Sequence, residues 1–171
     1  MTEREFKDKV LTLSKVVFPM ARRMLKDNDM ARDAVQHSMM KLWENRKQLD
    51  KCTNIKAFTY TVVRNVCIDE LKRKKPVIFD EIPQSIKDKP VLNDHHERKE
   101  VIEIIQGIIE ELPKNQREVI QMRDIDGLEF EEIASVLETD IAYIRVLLSR
   151  ARKTVKEKIE KIYAYEAIGR R

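Results

Sequence analysis

Between Phe130 and Lys153 the chain reads FEEIASVLETDIAYIRVLLSRARK, two amphipathic stretches separated by Glu138, Thr139 and Asp140. The spacing predicts one helix over Phe130 to Leu137 and a second from Ile141 onward. Two helices meeting across so short a turn form a helix-turn-helix. Ala134 stands where such helices cross, and Ile133, Leu137, Ile144 and Leu148 have the spacing to fill the wedge between them. The second helix has no acidic residue between Ile141 and Lys156, whereas Glu129, Glu131, Glu132 and Glu138 belong to the first and its edges. A basic helix behind an acidic one suits a recognition helix turned toward phosphates while its partner faces away.

The second helix also carries groups able to read bases. Asp140 is suited to cap its N-terminus. Arg145 and Ser149 lie four apart on one face, with Tyr143 and Val146 beside them. Arg can donate two hydrogen bonds to guanine, Ser can bond several bases, and Val can touch a thymine methyl. Arg150, Arg152 and Lys153 suit phosphate contact.

The remaining composition supports an all-α fold. Of 171 residues 37% are charged, three are glycine and 6% are aromatic. Helix formers therefore dominate and turn residues are rare. The net charge of +4 says less than its distribution. Cys52 and Cys67 form no CxxC pair and read as reduced thiols. No apolar run approaches membrane-spanning length, and the N-terminus lacks a signal-peptide core, so the reading is a cytoplasmic protein without membrane insertion. No Gly-rich phosphate loop, zinc-protease helix or GxSxG elbow is present. No catalytic residue, cofactor or metal site is expected. His37 follows Asp33 by four residues without a third ligand, and His95 and His96 read as a solvated helix start.

Apolar periodicity predicts a helix from Glu3 toward Leu25, ended or kinked at Pro19. A second runs from about Met30 to Leu49, capped by Asn28 or Asp29. On burial tendency Met39, Met40 and Trp43 read as core, although Met and Trp also suit a docking surface. A third helix follows a cap at Thr53 or Asn54, with Ala57, Phe58, Thr61, Val62, Asn65, Ile68 and Leu71 on one period, and stops at Pro76. Lys56, Arg64, Lys72 and Arg73 interleave with Phe58 and Tyr60. That mixture fits single-stranded nucleic acid, because phosphates need cations and unpaired bases need aromatic platforms. Asn65 can hydrogen-bond an exposed base edge. Val77 to Asp94 has no sustained helical period and reads as a linker. The helix from Glu97 to Leu112, Pro113, the stretch Lys114 to Asp124 and an Asp126-Gly127 turn then lead into the helix-turn-helix.

Taken in order, these blocks resemble the extracytoplasmic-function (ECF) sigma factors of the sigma-70 family, over about residues 5 to 162. DAVQHSMMKLWENR is similar to the DxVQexFxxLW segment with which those factors dock on the RNA polymerase clamp. NIKAFTYTVVRNVCIDELKRKK is similar to their segment that opens and reads the minus-ten element. ELPKNQREVIQMRDIDGLEFEEIASVL with IRVLLSRARK is similar to their domain that reads the minus-thirty-five element. The resemblance implies two helical domains, 1–76 and 96–171, joined by a linker at 77–95. It implies polymerase docking through Asp33, Gln36, Met39, Met40, Leu42 and Trp43. Minus-ten contacts fall to Lys56, Phe58, Tyr60, Arg64, Asn65, Lys72 and Arg73, with Asp69 also matching that segment. Minus-thirty-five contacts fall to Asp140, Tyr143, Arg145, Val146, Ser149, Arg150, Arg152 and Lys153. The implied partners are core RNA polymerase, at its clamp and flap, promoter DNA and an anti-sigma factor. Departures from the pattern are His37 for Glu, Thr59 for Trp, Glu138 for Gly, Val146 for Ser and Leu147 for Arg. The last two are expected to exchange polar DNA contacts for apolar ones. The alternative reading is a helix-turn-helix regulator whose N-terminal helices sense a ligand or dimerise.

Overall fold

The structure, a computed structural model, describes residues 1–73 and 96–169, the side chains of 96–100 and 165–169 excepted. Every regular element among them is helical. They are α1 (Glu3–Lys9), α2 (Ser14–Leu25), α3 (Asn28–Glu44), α4 (Arg46–Leu49), α5 (Ile55–Arg73), α6 (His96–Glu110), α7 (Lys114–Ile120), α8 (Phe130–Leu137) and α9 (Ile141–Gly169), with a 3₁₀ turn at Leu11–Leu13 and a π-helical turn at Gln121–Ile125. The stretch expected as a linker, 77–95, lies outside the described residues. The chain divides into two units, each discontinuous in sequence: Met1–Ile78 with Met122–Ile141, and Phe79–Gln121 with Ala142–Arg171.

In the first unit α2, α3 and α5 pack against one another. Ala21, Ala31 and Ala34 are buried, so these backbones approach closely, and Val17, Met20, Leu42, Val63 and Val66 fill the space. Phe6 meets Trp43 edge-on with ring centroids 5.0 Å apart, fastening α1 to α3. A reciprocal cap starts α1: the Thr2 amide donates to Glu5 at 2.7 Å and the Glu5 amide to the Thr2 hydroxyl at 3.3 Å.

Three boundaries differ from the sequence expectation. The first break falls at Val10, followed by a 3₁₀ turn over Leu11–Leu13, and Pro19 lies inside α2. Proline withholds one helical hydrogen bond, but Val17, Met20 and Ala21 beside it are buried, and their packing keeps the helix continuous. The cap of α3 is Asp27, whose side chain accepts from the Met30 amide at 2.9 Å, rather than Asn28 or Asp29. Lys26 just before it takes a left-handed conformation, φ +55°, that reverses the chain out of α2. The second predicted helix is divided at Asn45, where α3 ends and α4 begins.

The face of α5 also differs. Its buried residues are Ala57, Thr59, Tyr60, Val63, Val66 and Cys67, whereas Phe58, Asn65 and Leu71 are exposed. Apolar groups lie around much of this helix, so periodicity alone could not choose the side that packs. Asn54 does cap it, accepting from the Ala57 amide at 2.9 Å.

In the second unit the buried residues are Ile108, Ile109, Leu112, Val119, Ile120, Ile144, Leu147, Leu148 and Ala151. Arg117 donates to the Glu110 carbonyl oxygen at 2.7 Å, tying α7 back to the end of α6. Lys158 of α9 pairs with Glu111.

Candidate nucleic-acid interface

α8 ends at Glu138, whose φ of +51° is the left-handed conformation that Gly adopts most readily. The Thr139 amide then donates to the Ala134 carbonyl oxygen at 3.1 Å, and α9 starts at Ile141. This is the short turn that the sequence predicts. Ile133, Ile144 and Leu148 are buried, while Leu137 and Ala134 are half-buried.

α9 is divided by burial. Ile144, Leu147, Leu148 and Ala151 form its buried stripe at helical spacing. Tyr143, Arg145, Val146, Ser149, Arg150, Arg152 and Lys153 are exposed, as is Asp140 ahead of the helix. Val146 is 44% exposed and Leu147 only 6%. The expectation that Leu147 offers an apolar contact to DNA is therefore corrected: three residues after Ile144, it belongs to the core.

α3 sorts its residues in the same way. Asp33, Gln36 and Met40 are exposed at spacings of three and four, hence on one face. Met39 and Leu42 are buried. Trp43 is half-buried, with the Arg46 guanidinium 4.2 Å from its ring centroid. The core and surface readings of the Met pair thus divide between Met39 and Met40. Beside this face a groove is lined by Leu11, Lys15, Phe18, Arg32, Gln36 and Met39.

α5 presents Phe58, Asn65, Lys72 and Arg73 at its surface and holds Arg64 half-buried. Arg73 pairs with Glu70 at 3.0 Å. Tyr60 is not an exposed aromatic platform: it is 2% exposed and its hydroxyl donates to Asp126 at 2.7 Å. Burial, with the Asp126 carboxylate adding to it, pushes the phenol pKa up. Lys56 donates to the Gly127 carbonyl oxygen at 3.0 Å and to Glu132 at 3.2 Å.

The groups holding Lys56 and Tyr60 were not identified from the sequence. Arg23 of α2 donates to both Asp126 carboxylate oxygens at 2.5 Å. Gly127, at φ +66°, turns the chain after Asp126, and the Leu128 amide closes that turn on the Met122 carbonyl oxygen at 2.9 Å. Arg123 braces it by donating to the Leu128 carbonyl oxygen and to Glu129, each at 2.7 Å. Glu132, one of the acidic residues of the first helix, is 8% exposed and accepts from Asn54 as well as Lys56. Burial raises the Glu132 pKa, but hydrogen bonds from the Glu129 amide, Asn54 and Lys56 outweigh it and leave the carboxyl below its ordinary value. A helical pattern records the positions of Asp126 and Glu132 but not their long-range partners.

Among the described residues no group of three or more His, Cys, Asp or Glu is placed to hold a metal ion. No described helix is long and apolar enough to cross a membrane.

An all-helical scaffold carrying a helix-turn-helix with a basic outer face defines a protein of the DNA-binding transcription class. Two family models match in chain order: "Sigma-70 region 2" over residues 10–77 and "Sigma-70, region 4" over residues 102–155. ECF RNA polymerase sigma factor SigM of Bacillus subtilis (strain 168) is 27% identical over 135 residues, covering 78% of this chain and 82% of that protein. The ECF RNA polymerase sigma-E factor of Escherichia coli (strain K12) is 34% identical over 62 residues, 36% of this chain and 32% of its own. The sigma factor RpoE from Bartonella quintana, solved with the anti-sigma factor NepR, has the same fold with a TM-score of 0.67 at 21% identity, covering 92% of this chain and 98% of that one. The chain belongs to the sigma-70 family, as an RNA polymerase sigma factor of the ECF group.

Proposed function

We propose that this sigma factor grips its promoter at two points and contributes no catalysis of its own. In this reading residues 1–76 dock on core polymerase and trap the minus-ten strand, 77–95 connect, and 96–171 hold the minus-thirty-five duplex. Asp33, Gln36 and Met40 meet the polymerase clamp, with Met39, Leu42 and Trp43 supporting that face. Phe58, Arg64, Asn65, Lys72 and Arg73 receive the unpaired strand. Arg145, Val146, Ser149 and Tyr143 read bases, while Arg150, Arg152 and Lys153 bind phosphates and Asp140 opens the helix. Two weak sites joined by one chain reach an effective affinity that neither has alone. A cytoplasmic setting and control by an anti-sigma factor complete the reading.

The observation that carries it is the sorting of α9: the side chains suited to DNA are exposed, and the apolar residues between them are buried. Run-off transcription with purified core polymerase over a promoter library tests it. Core-dependent initiation is expected. Arg145→Ala should weaken minus-thirty-five binding about tenfold, the discrimination of one bidentate base contact, while sparing core binding. No core association and no initiation would sink the proposal.

A further inference from the structure

We propose that Val146 makes α9 a reader of the C5-methyl group of pyrimidines, so that the minus-thirty-five element presents thymine to it at one position. The assignment rests on the reading of α9 as the recognition helix and names what one part of its outer face selects. Val146 is 44% exposed, as is Tyr143 one turn before it, and Ala142 is exposed as well. Spacings of three and four put Tyr143 and Ala142 on the same side of the helix as Val146. The N-terminal residues of a recognition helix are those that reach base edges. In α9 that stretch carries an apolar patch, with Arg145 beside it and Arg150 four residues beyond. Leu147, 6% exposed, serves the core, so packing does not call for an apolar side chain at Val146.

The chemistry of the side chain selects the base. In the major groove thymine presents its C5-methyl group, whereas cytosine presents an amino donor. Val has no hydrogen-bonding atom. An amino group pressed against it loses water without replacement, and a methyl group gains cover. Val146 is also β-branched, so its χ1 is largely fixed in a helix and its two methyl groups are held in place before DNA arrives. For a helix lying along the groove, Ser149 stands about 4.5 Å further along the axis. That exceeds one base-pair step of roughly 3.4 Å, so its hydroxyl addresses a neighbouring pair and leaves the methyl contact to Val146. A 5-methylcytosine carries the same methyl group and is favoured over cytosine at that position.

The test uses core polymerase with the full chain and the promoter that run-off selection returns. A fluorescein-labelled copy of that duplex is competed with unlabelled duplexes in which each minus-thirty-five thymine in turn is replaced by uracil, which removes only the methyl group. At one position uracil should weaken binding about fourfold, as loss of one buried methyl-sized group does. At the same position a 5-methylcytosine–guanine pair should bind about fourfold tighter than a cytosine–guanine pair. Val146→Ser should abolish both differences while the salt dependence of binding stays that of wild type, because no phosphate contact is removed. A minus-thirty-five element without thymine, the lack of any uracil-sensitive position, or a methyl effect that survives Val146→Ser overturns the proposal. Absence of core-dependent initiation overturns the sigma reading and this proposal together. Initiation that Arg145→Ala weakens, with no methyl effect, removes only the role given to Val146.

Discussion

Asn54 donates from its side-chain amide to Glu132 at 3.1 Å while its side-chain carbonyl oxygen caps α5 at the Ala57 amide, 2.9 Å away. One residue thus closes the first turn of α5 and holds the first turn of α8. Asn54→Ala removes a cap and leaves a buried carboxylate short of a donor. It should destabilise this unit by about 2 kcal/mol, the sum of a lost cap and a lost charged hydrogen bond. Urea unfolding checks this, and no loss of stability would show that the two bonds contribute nothing.

The same carboxylate sets a pH dependence. The Glu132 pKa in the folded chain lies below its ordinary 4.5. A group with a depressed folded pKa contributes stability above its unfolded pKa and loses it as pH falls through the folded value. The Glu132 contribution should therefore be fully present above about pH 4.5 and fade below it. Glu132→Gln should narrow its gap to wild type as the solution is acidified. A constant gap between pH 6 and pH 3 in thermal melts would refute the linkage.

Thr59 Oγ1 is buried and is, among the described residues, a side-chain polar atom without a hydrogen-bond partner. Val has nearly the same shape and no hydroxyl to desolvate. Thr59→Val should stabilise the unit by about 1 kcal/mol, seen as a higher denaturation midpoint. Destabilisation would indicate that the hydroxyl contributes to the fold.

Glu138 holds φ +51° between α8 and α9. A side chain in that conformation costs energy that Gly avoids, partly offset by the greater freedom of Gly when unfolded. Glu138→Gly should therefore raise stability by up to about 1 kcal/mol. A fall in melting temperature would mean that the Glu side chain contributes more than its backbone conformation costs.

Phe58 and Tyr60, two residues apart, should respond differently. Phe58 is 37% exposed, and Phe58→Ala should weaken single-strand binding about tenfold, as loss of one stacked base does. Tyr60→Phe removes only the hydroxyl bonded to Asp126, so it should loosen that contact without weakening single-strand binding. Parallel anisotropy titrations decide, and equal losses for both substitutions would contradict the division between surface and core.

Much of this molecule was legible because local chemistry repeats. The α8 and α9 helices, the short turn between them, the Asn54 cap and the exposed basic face of α9 follow from periodicity, capping chemistry and charge. Ambiguity arose where several faces of a helix were equally apolar. Nothing local distinguishes the side of α5 bearing Val62 from the side bearing Val63, and only the second is buried. Pro19 looked like a break, yet buried neighbours on both sides keep α2 whole.

In the helix-turn-helix, sequence alone determined the helices, their turn and the cationic character of α9, because these depend on residues within a few positions of one another. Tertiary structure decided that Val146 faces outward while Leu147 joins the core, and that Asp126 and Glu132 meet Arg23, Asn54, Lys56 and Tyr60. The carboxylate contacts join residues 66 or more positions apart, and at Val146 and Leu147 burial selects between positions that local propensity leaves equivalent.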